Sequence, residues 1–233
     1  MILFRDIYEK AIYLFNDPDI QKAYDEHKIR FEKLMYDYLQ NGLILFSDPT
    51  AISSQLIDQT PPSGQMEIID GENTDTYTLT MNKPMENSRI VAMIAGEVDK
   101  FAEYNYQDNS IKFSKVVPAG VECSVEWYFG GQFNTDFSGA TSSTVSKEFI
   151  ISKVKDILAR CLVVCWAEEN ENYILEIRNI LTDTDFKLHA PANAVRSKIE
   201  WVKDLRWELD TMRNKLGWNL FSRSRGAGRY YGN

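Results

Sequence analysis

Val121-Glu-Cys-Ser-Val-Glu-Trp-Tyr-Phe129 sets Val121, Cys123, Val125, Trp127 and Phe129 in alternation with Glu122, Ser124, Glu126 and Tyr128. Successive side chains of a strand point to opposite faces, so this strict period of two predicts a half-buried antiparallel strand. Working upstream, Tyr77, Leu79 and Met81 alternate with threonines, and Arg89–Ala95 reads as a more buried strand. Glu103–Tyr106 and Ser110–Ser114 flank Gln107-Asp108-Asn109 as a hairpin. Gln59-Thr-Pro-Pro-Ser-Gly64 opens this region and Gly130-Gly131 closes it. Five or six strands in about 65 residues predict a small antiparallel sandwich or open barrel.

Both flanks carry helical spacing instead. Phe4, Ile7, Tyr8, Ala11, Leu14 and Phe15 share a broad face of a helix over 3–15. Asn16-Asp17-Pro18 stops it and starts the next, with Asp17 as N-cap and Pro18 in the first turn. Ile20, Tyr24, His27, Phe31, Leu34 and Tyr38 then form a seam of coiled-coil type on one continuous helix, ended by Asn41-Gly42. His27 lies inside that seam and is expected to pack. Ser47-Asp48-Pro49 predicts a short third helix.

Downstream, Phe149, Ile150, Val154, Ile157, Leu158, Cys161, Leu162 and Cys165 leave little of their helix polar, which predicts a central position. Tyr173, Ile174, Ile177, Ile180 and Leu181 form a shorter helix. A long one follows His189-Ala-Pro191 through Val195, Ile199, Val202, Leu205, Leu209, Met212 and Leu216, ending at Gly217. The fold expected is α+β. A discontinuous helical domain, 1–60 with 140–217, forms a bundle interrupted by a β domain over 61–139. An arm of 218–233 completes the chain.

At 233 residues and 44% apolar composition, a core of this size needs no disulfide or metal staple. The net charge of −8 disfavours broad binding to nucleic acid or anionic lipid. The start, with Arg5 and Asp6 and no basic region, does not read as a signal peptide, and no run of about 20 apolar residues reads as a membrane span. Cys161 and Cys165 stand one helical turn apart, but a structural zinc site wants four ligands, and His27 and His189 lie in distant segments. These thiols, with Cys123, are expected to be reduced, metal-free and apolar in role.

No nucleotide-binding loop, zinc-protease helix or nucleophile elbow occurs. Glu122 and Glu126, four strand residues apart, stand roughly 13 Å from each other, beyond the reach of a glycosidase pair. Asp183 and Asp185 lack the glycine and terminal glutamate of a calcium loop and read as a solvated helix end. No catalytic residue and no cofactor is expected.

Charge placement singles out the C-terminus. Residues 211–233 contain Arg213, Lys215, Arg223, Arg225 and Arg229 and no acid, while the rest of the chain carries 21 basic against 34 acidic side chains. Arginine and aromatics are enriched at interface cores, so Trp218, Phe221, Arg223, Arg225, Arg229, Tyr230 and Tyr231 are the candidate partner-binding residues.

The run Ile94-Ala-Gly-Glu-Val98, Tyr104-Asn-Tyr106, Ile111-Lys-Phe113 and Pro118-Ala-Gly120 through Val125 and Tyr128 resembles a β module of tailed-phage structural proteins. The helical frame is similar to that of head-to-tail connector (adaptor) proteins, which form rings beneath the portal and end in a C-terminal arm. An inserted β module departs from the general connector pattern. The resemblance implies a virion neck subunit, made in the host cytoplasm, without catalysis. It also implies a ring, twelve-fold by family expectation, that contacts portal and tail or neck proteins, with no membrane and no sequence-specific nucleic acid. An alternative is a baseplate or host-facing protein whose β domain recognises a glycan or protein, with Tyr104, Tyr106 and Tyr128 as a stacking surface.

Overall fold

The computed structural model describes residues 1–15, 18–137, 140, 146–182 and 189–224, with side chains described for 1–15, 20–137, 140, 146–169, 197 and 199–220. The chain is mixed α/β and divides into two compact units, Met1–Thr60 with Gln132–Asn233, and Pro61–Gly131. Six α-helices and three antiparallel sheets are present among the described residues, and no sheet closes into a barrel.

The first unit is built on α1 (Phe4–Phe15), α2 (Pro18–Glu26), α3 (Lys28–Leu43), α4 (Thr50–Ser53), α5 (Lys147–Thr182) and α6 (His189–Ser224). Ile150, Val154, Ile157, Leu158, Cys161 and Leu162 are completely buried, as are Ala159, Val163 and Val164. So wide an apolar surface must be covered from several sides, and α1, α3 and α6 all pack on α5. Phe15 meets Trp166 edge to face at 4.8 Å. Ion pairs Lys10–Asp156 and Lys155–Asp6 tie α1 to α5. A three-stranded sheet joins β1 (Ile2–Leu3), β10 (Gln132–Phe133) and β2 (Gln59–Thr60), with Gln132 opposite Thr60.

Several expectations for this unit are corrected. The helix expected from Pro18 to Asn41 is two helices, broken at His27, whose backbone (φ −137°, ψ 55°) leaves the helical region. The break rotates α3 relative to α2, so the buried face of α3 is Ile29, Phe31, Glu32, Met35 and Leu39. His27 is exposed and Leu34 is 56% exposed, so neither belongs to a seam. The helices expected around 149–165 and 173–181 are one, α5, and α6 passes through Gly217 to Ser224. The expected cap at Asp17 and the Asp183–Asp185 turn lie outside the described residues.

The second unit holds a sheet in the order β3 (Ser63–Asp70), β9 (Glu122–Phe129), β5 (Arg89–Ile94), β6 (Glu97–Val98), and another in the order β4 (Thr74–Thr78), β8 (Ser110–Val117), β7 (Glu103–Asn105). Tyr77, Ile111, Phe113 and Val117 from one sheet and Ala92, Ile94, Cys123 and Val125 from the other form a single apolar cluster. The hairpin around Gln107–Asn109 pairs Asn105 with Ser110, in the expected place. Strand β9 is more buried than alternation predicts. It lies between β3 and β5, and Ser124 and Tyr128 on its even face are 7% and 4% exposed. β3 is a strand that the sequence reading passes over: Met66 and Ile68 alternate with Gln65 and Glu67 only briefly, and it is these two apolar residues that face solvent.

Candidate interaction surface

Helix α6 buries Val202, Leu205, Leu209 and Leu216, spaced three, four and seven residues apart, and the three leucines join the core of the first unit. Trp201 is half-buried against the same core, while Trp207 and Trp218 are 71% and 73% exposed. Eleven residues are close to three full turns, so these two tryptophans point the same way to within about 20°, roughly 16 Å apart along the axis. The same arithmetic places them opposite Leu205, Leu209 and Leu216. They therefore serve no part of this chain's core.

Between and around the tryptophans, the outward face carries Lys203, Asp204, Asp210, Thr211, Asn214 and Lys215. Ion pairs and hydrogen bonds join this helix to its neighbours. Arg160 of α5 donates to Glu208 at 3.2 Å, and Arg206 pairs with Glu168 of α5. Arg213 pairs with Asp210 at 3.3 Å and donates to the Ser47 hydroxyl at 3.3 Å. Arg213 is thus part of the folded body, not of a basic arm.

Of the residues singled out from the sequence, Trp218 is on this face. Phe221 and Arg223 fall within α6, but their side chains are outside the described residues, as are Arg225, Arg229, Tyr230 and Tyr231 altogether. Leu220 packs against the helical core, so the free arm expected from 218 onward begins as helix. Trp207 was not among the expected residues. The signal for it was present: a tryptophan off the apolar stripe of a long helix has no core to fill.

The tyrosines of the alternative reading do not form one surface. Tyr128 is buried, Tyr104 is half-buried with its hydroxyl donating to Asn109 Oδ1, and Tyr106 is 50% exposed. Tyr104 and Tyr106 meet edge to face at 4.8 Å in an open cleft of about 570 Å3 that includes Glu103, Asn105, Asp108 and Lys112.

Cys161 is completely buried, and burial pushes its thiol far above the ordinary range. Burial also raises Cys165, to about 11, with Glu168 adding to the rise and Arg206 opposing it. No group of three or more His, Cys, Asp or Glu side chains able to hold a metal occurs among the described residues. No helix among them is long and apolar enough to cross a membrane. No protein-family model, curated protein or solved structure matches the chain.

Proposed function

We propose that this chain is a structural subunit that works by assembly, a head-to-tail connector of a tailed phage forming a ring between portal and tail. The observation that carries the assembly role is the pair of exposed tryptophans on α6, on the side opposite its buried leucines. Large aromatics placed this way are typical anchors of protein interfaces. The connector assignment is supported by the resemblance of the helical frame and of the strands around Tyr104, Phe113 and Tyr128. In this reading the helices of the first unit form the bundle of the subunit and the second unit is an inserted sandwich-like module. The long helices line subunit contacts, and residues 218–233 reach a neighbour. The acidic balance of the chain gives a ring lumen through which DNA slides without adhering. No catalysis or cofactor is assigned.

Negative-stain images of the purified protein, alone and mixed with portal protein, test this. Closed rings, or a collar added to the portal, are expected. A monodisperse protein that forms neither and does not bind portal would remove the connector reading. The Tyr104–Tyr106 cleft supports a second reading, recognition of a saccharide by the β unit, and saturable binding of a host glycan abolished by Tyr106→Ala would favour it.

A further inference from the structure

We infer that residues 225–233 of one copy add as an antiparallel strand to the free edge of β3 in an adjoining copy, with Arg225 beside Asp70 and Tyr231 beside Gly64. β3 is the end strand of its sheet and is eight residues long. Gly71 donates its N–H to the Val121 carbonyl, which fixes the alternation along the pair with β9. The odd-numbered residues of β3 therefore bond to β9, while Gly64, Met66, Ile68 and Asp70 aim their N–H and C=O groups away from it. No strand takes these groups up among the described residues. An unpaired edge of this length is a template for strand addition.

Three features select the occupant. The first is charge. β3 contains Glu67 and Asp70 and no Lys or Arg, and Asp70 stands directly opposite Glu122, both exposed. Like charges so placed repel, and an added cation relieves them. Residues 225–233 hold Arg225 and Arg229 and no acid, whereas residues 61–131 carry eleven acidic and five basic side chains. A second copy of β3 would bring only further carboxylates. The second feature is spacing. Arg225 and Arg229 are four residues apart, so in a strand they share a face, about 13 Å from each other. Asp70 and Met66 have the same separation, and Met66 pairs with Glu126 on the same outer face. Arg225 then lies beside Asp70, Ala227 beside Ile68, and Arg229 beside Met66, within reach of Glu126. Tyr231 ends beside Gly64, whose bare backbone an aromatic covers. The third feature is bulk. On the inner side of the edge, Glu67 accepts from the Thr80 and Met81 N–H groups at 2.8 and 3.0 Å, and Gln65 accepts from the Asn82 N–H at 2.8 Å. Gly226 and Gly228 turn to that occupied side and bring no side chain to it. Tyr230 follows beside Gln65, where both Gln65 and Asn82 are exposed.

This pairing deepens the reading of residues 218–233 as reaching a neighbour and rests on it, but not on the ring. Main-chain bonds along the edge supply the affinity, and the two arginines fix the register.

A fluorescent peptide of residues 223–233, added to the protein lacking 225–233, tests the pairing by anisotropy, with circular dichroism as the folding control. Saturable binding is expected, weakened about tenfold by Asp70→Lys and weakened also by salt. Methyl groups on the peptide backbone probe the added strand without touching the fold of the protein. In the antiparallel pair the Ala227 N–H faces β3 and the Gly228 N–H faces solvent. N-methylation at Ala227 should therefore weaken binding about thirtyfold or more, and N-methylation at Gly228 by less than about threefold. Full-length Ile68→Cys and Ala227→Cys proteins, mixed and oxidised, should form a disulfide between chains. A folded protein that does not bind the peptide, equal tolerance of both methyl groups, or loss only on methylating Gly228 would overturn the pairing. A chain carrying both cysteines that closes only on itself would overturn the exchange between copies. Peptide binding at β3 by a protein that forms no ring and binds no portal would end the connector reading and leave this one standing. Rings built by the protein lacking 225–233, without peptide binding, would do the reverse.

Discussion

Gly42 of α3 rests against the backbone of Cys161 in α5: a β-carbon at position 42 would lie 3.0 Å from the Cys161 carbonyl carbon and 3.1 Å from the Leu162 nitrogen. The glycine is inside α3, which continues to Leu43, and so does not act as the helix stop that Asn41-Gly42 suggests. Its function is close approach of two helices. Gly42→Ala should gain about 1 kcal/mol of helix propensity and lose more to the forced separation of α3 from α5. The net expectation is a destabilisation of about 1–2 kcal/mol in chemical denaturation. A variant more stable than wild type would show that α3 moves away without cost.

The ends of the second unit suggest a sharper test of its independence. Thr60 and Gln132 are direct partners in the β2–β10 pair, so the chain leaves and re-enters the first unit at one point. Directly opposed strand residues are about 5 Å apart, the span that a two-residue turn closes. Replacing 61–131 by Asn-Gly should give a soluble protein with the helical circular dichroism and cooperative melting of a folded body. A coil spectrum from a soluble product would mean that the helical unit cannot fold without the insertion.

The thiols make a pH prediction. Cys165 is raised from an ordinary 9.0 to about 11, so the folded protein holds a proton that the unfolded chain releases. Its contribution to stability is complete below pH 9 and is lost as pH rises toward 11. Between those values the wild type should lose more stability than Cys165→Ser does, measured by urea unfolding. Parallel curves would remove Cys165 from the alkaline response. At pH 8 both Cys161 and Cys165 should resist alkylation in the native state and react on unfolding.

Leu220 fixes where the C-terminal segment can be removed. Because it packs on the core, deleting 219–233 should destabilise the monomer by about 1–2 kcal/mol, and the cost of deleting only 225–233 is to be measured beside it. If Arg225, Arg229, Tyr230 and Tyr231 bind a neighbour, the shorter deletion should still weaken assembly or portal binding, and added salt should weaken the intact protein. Assembly unaffected by that deletion would leave the interface to α6 alone.

The sequence by itself determined those elements whose side chains report a periodic environment. The face of α1, the apolar breadth of α5 around Ile157–Leu162, the hairpin at Gln107–Asn109 and the existence of β9 follow from spacing, because burial on one side imposes a period of 3.6 or 2. Tertiary structure decided what spacing cannot carry. His27 looks like a member of a heptad seam, but a local break in the backbone turned α3 so that Ile29, Phe31, Met35 and Leu39 are on its buried side instead. Gly217 reads as a stop, yet α6 continues to Ser224 and Leu220 reaches the core, because packing against neighbours outweighs about 1 kcal/mol of glycine cost. β3 turns its alternating Met66 and Ile68 to solvent, so no core face marks it, and it pairs with β9 along its whole length from Ser63 to Asp70. Trp207 is visible as an aromatic in any reading of the chain. Only the placement of Leu205, Leu209 and Leu216 against the core shows that it faces outward with Trp218, since the direction of a helix face is set by what its opposite face buries.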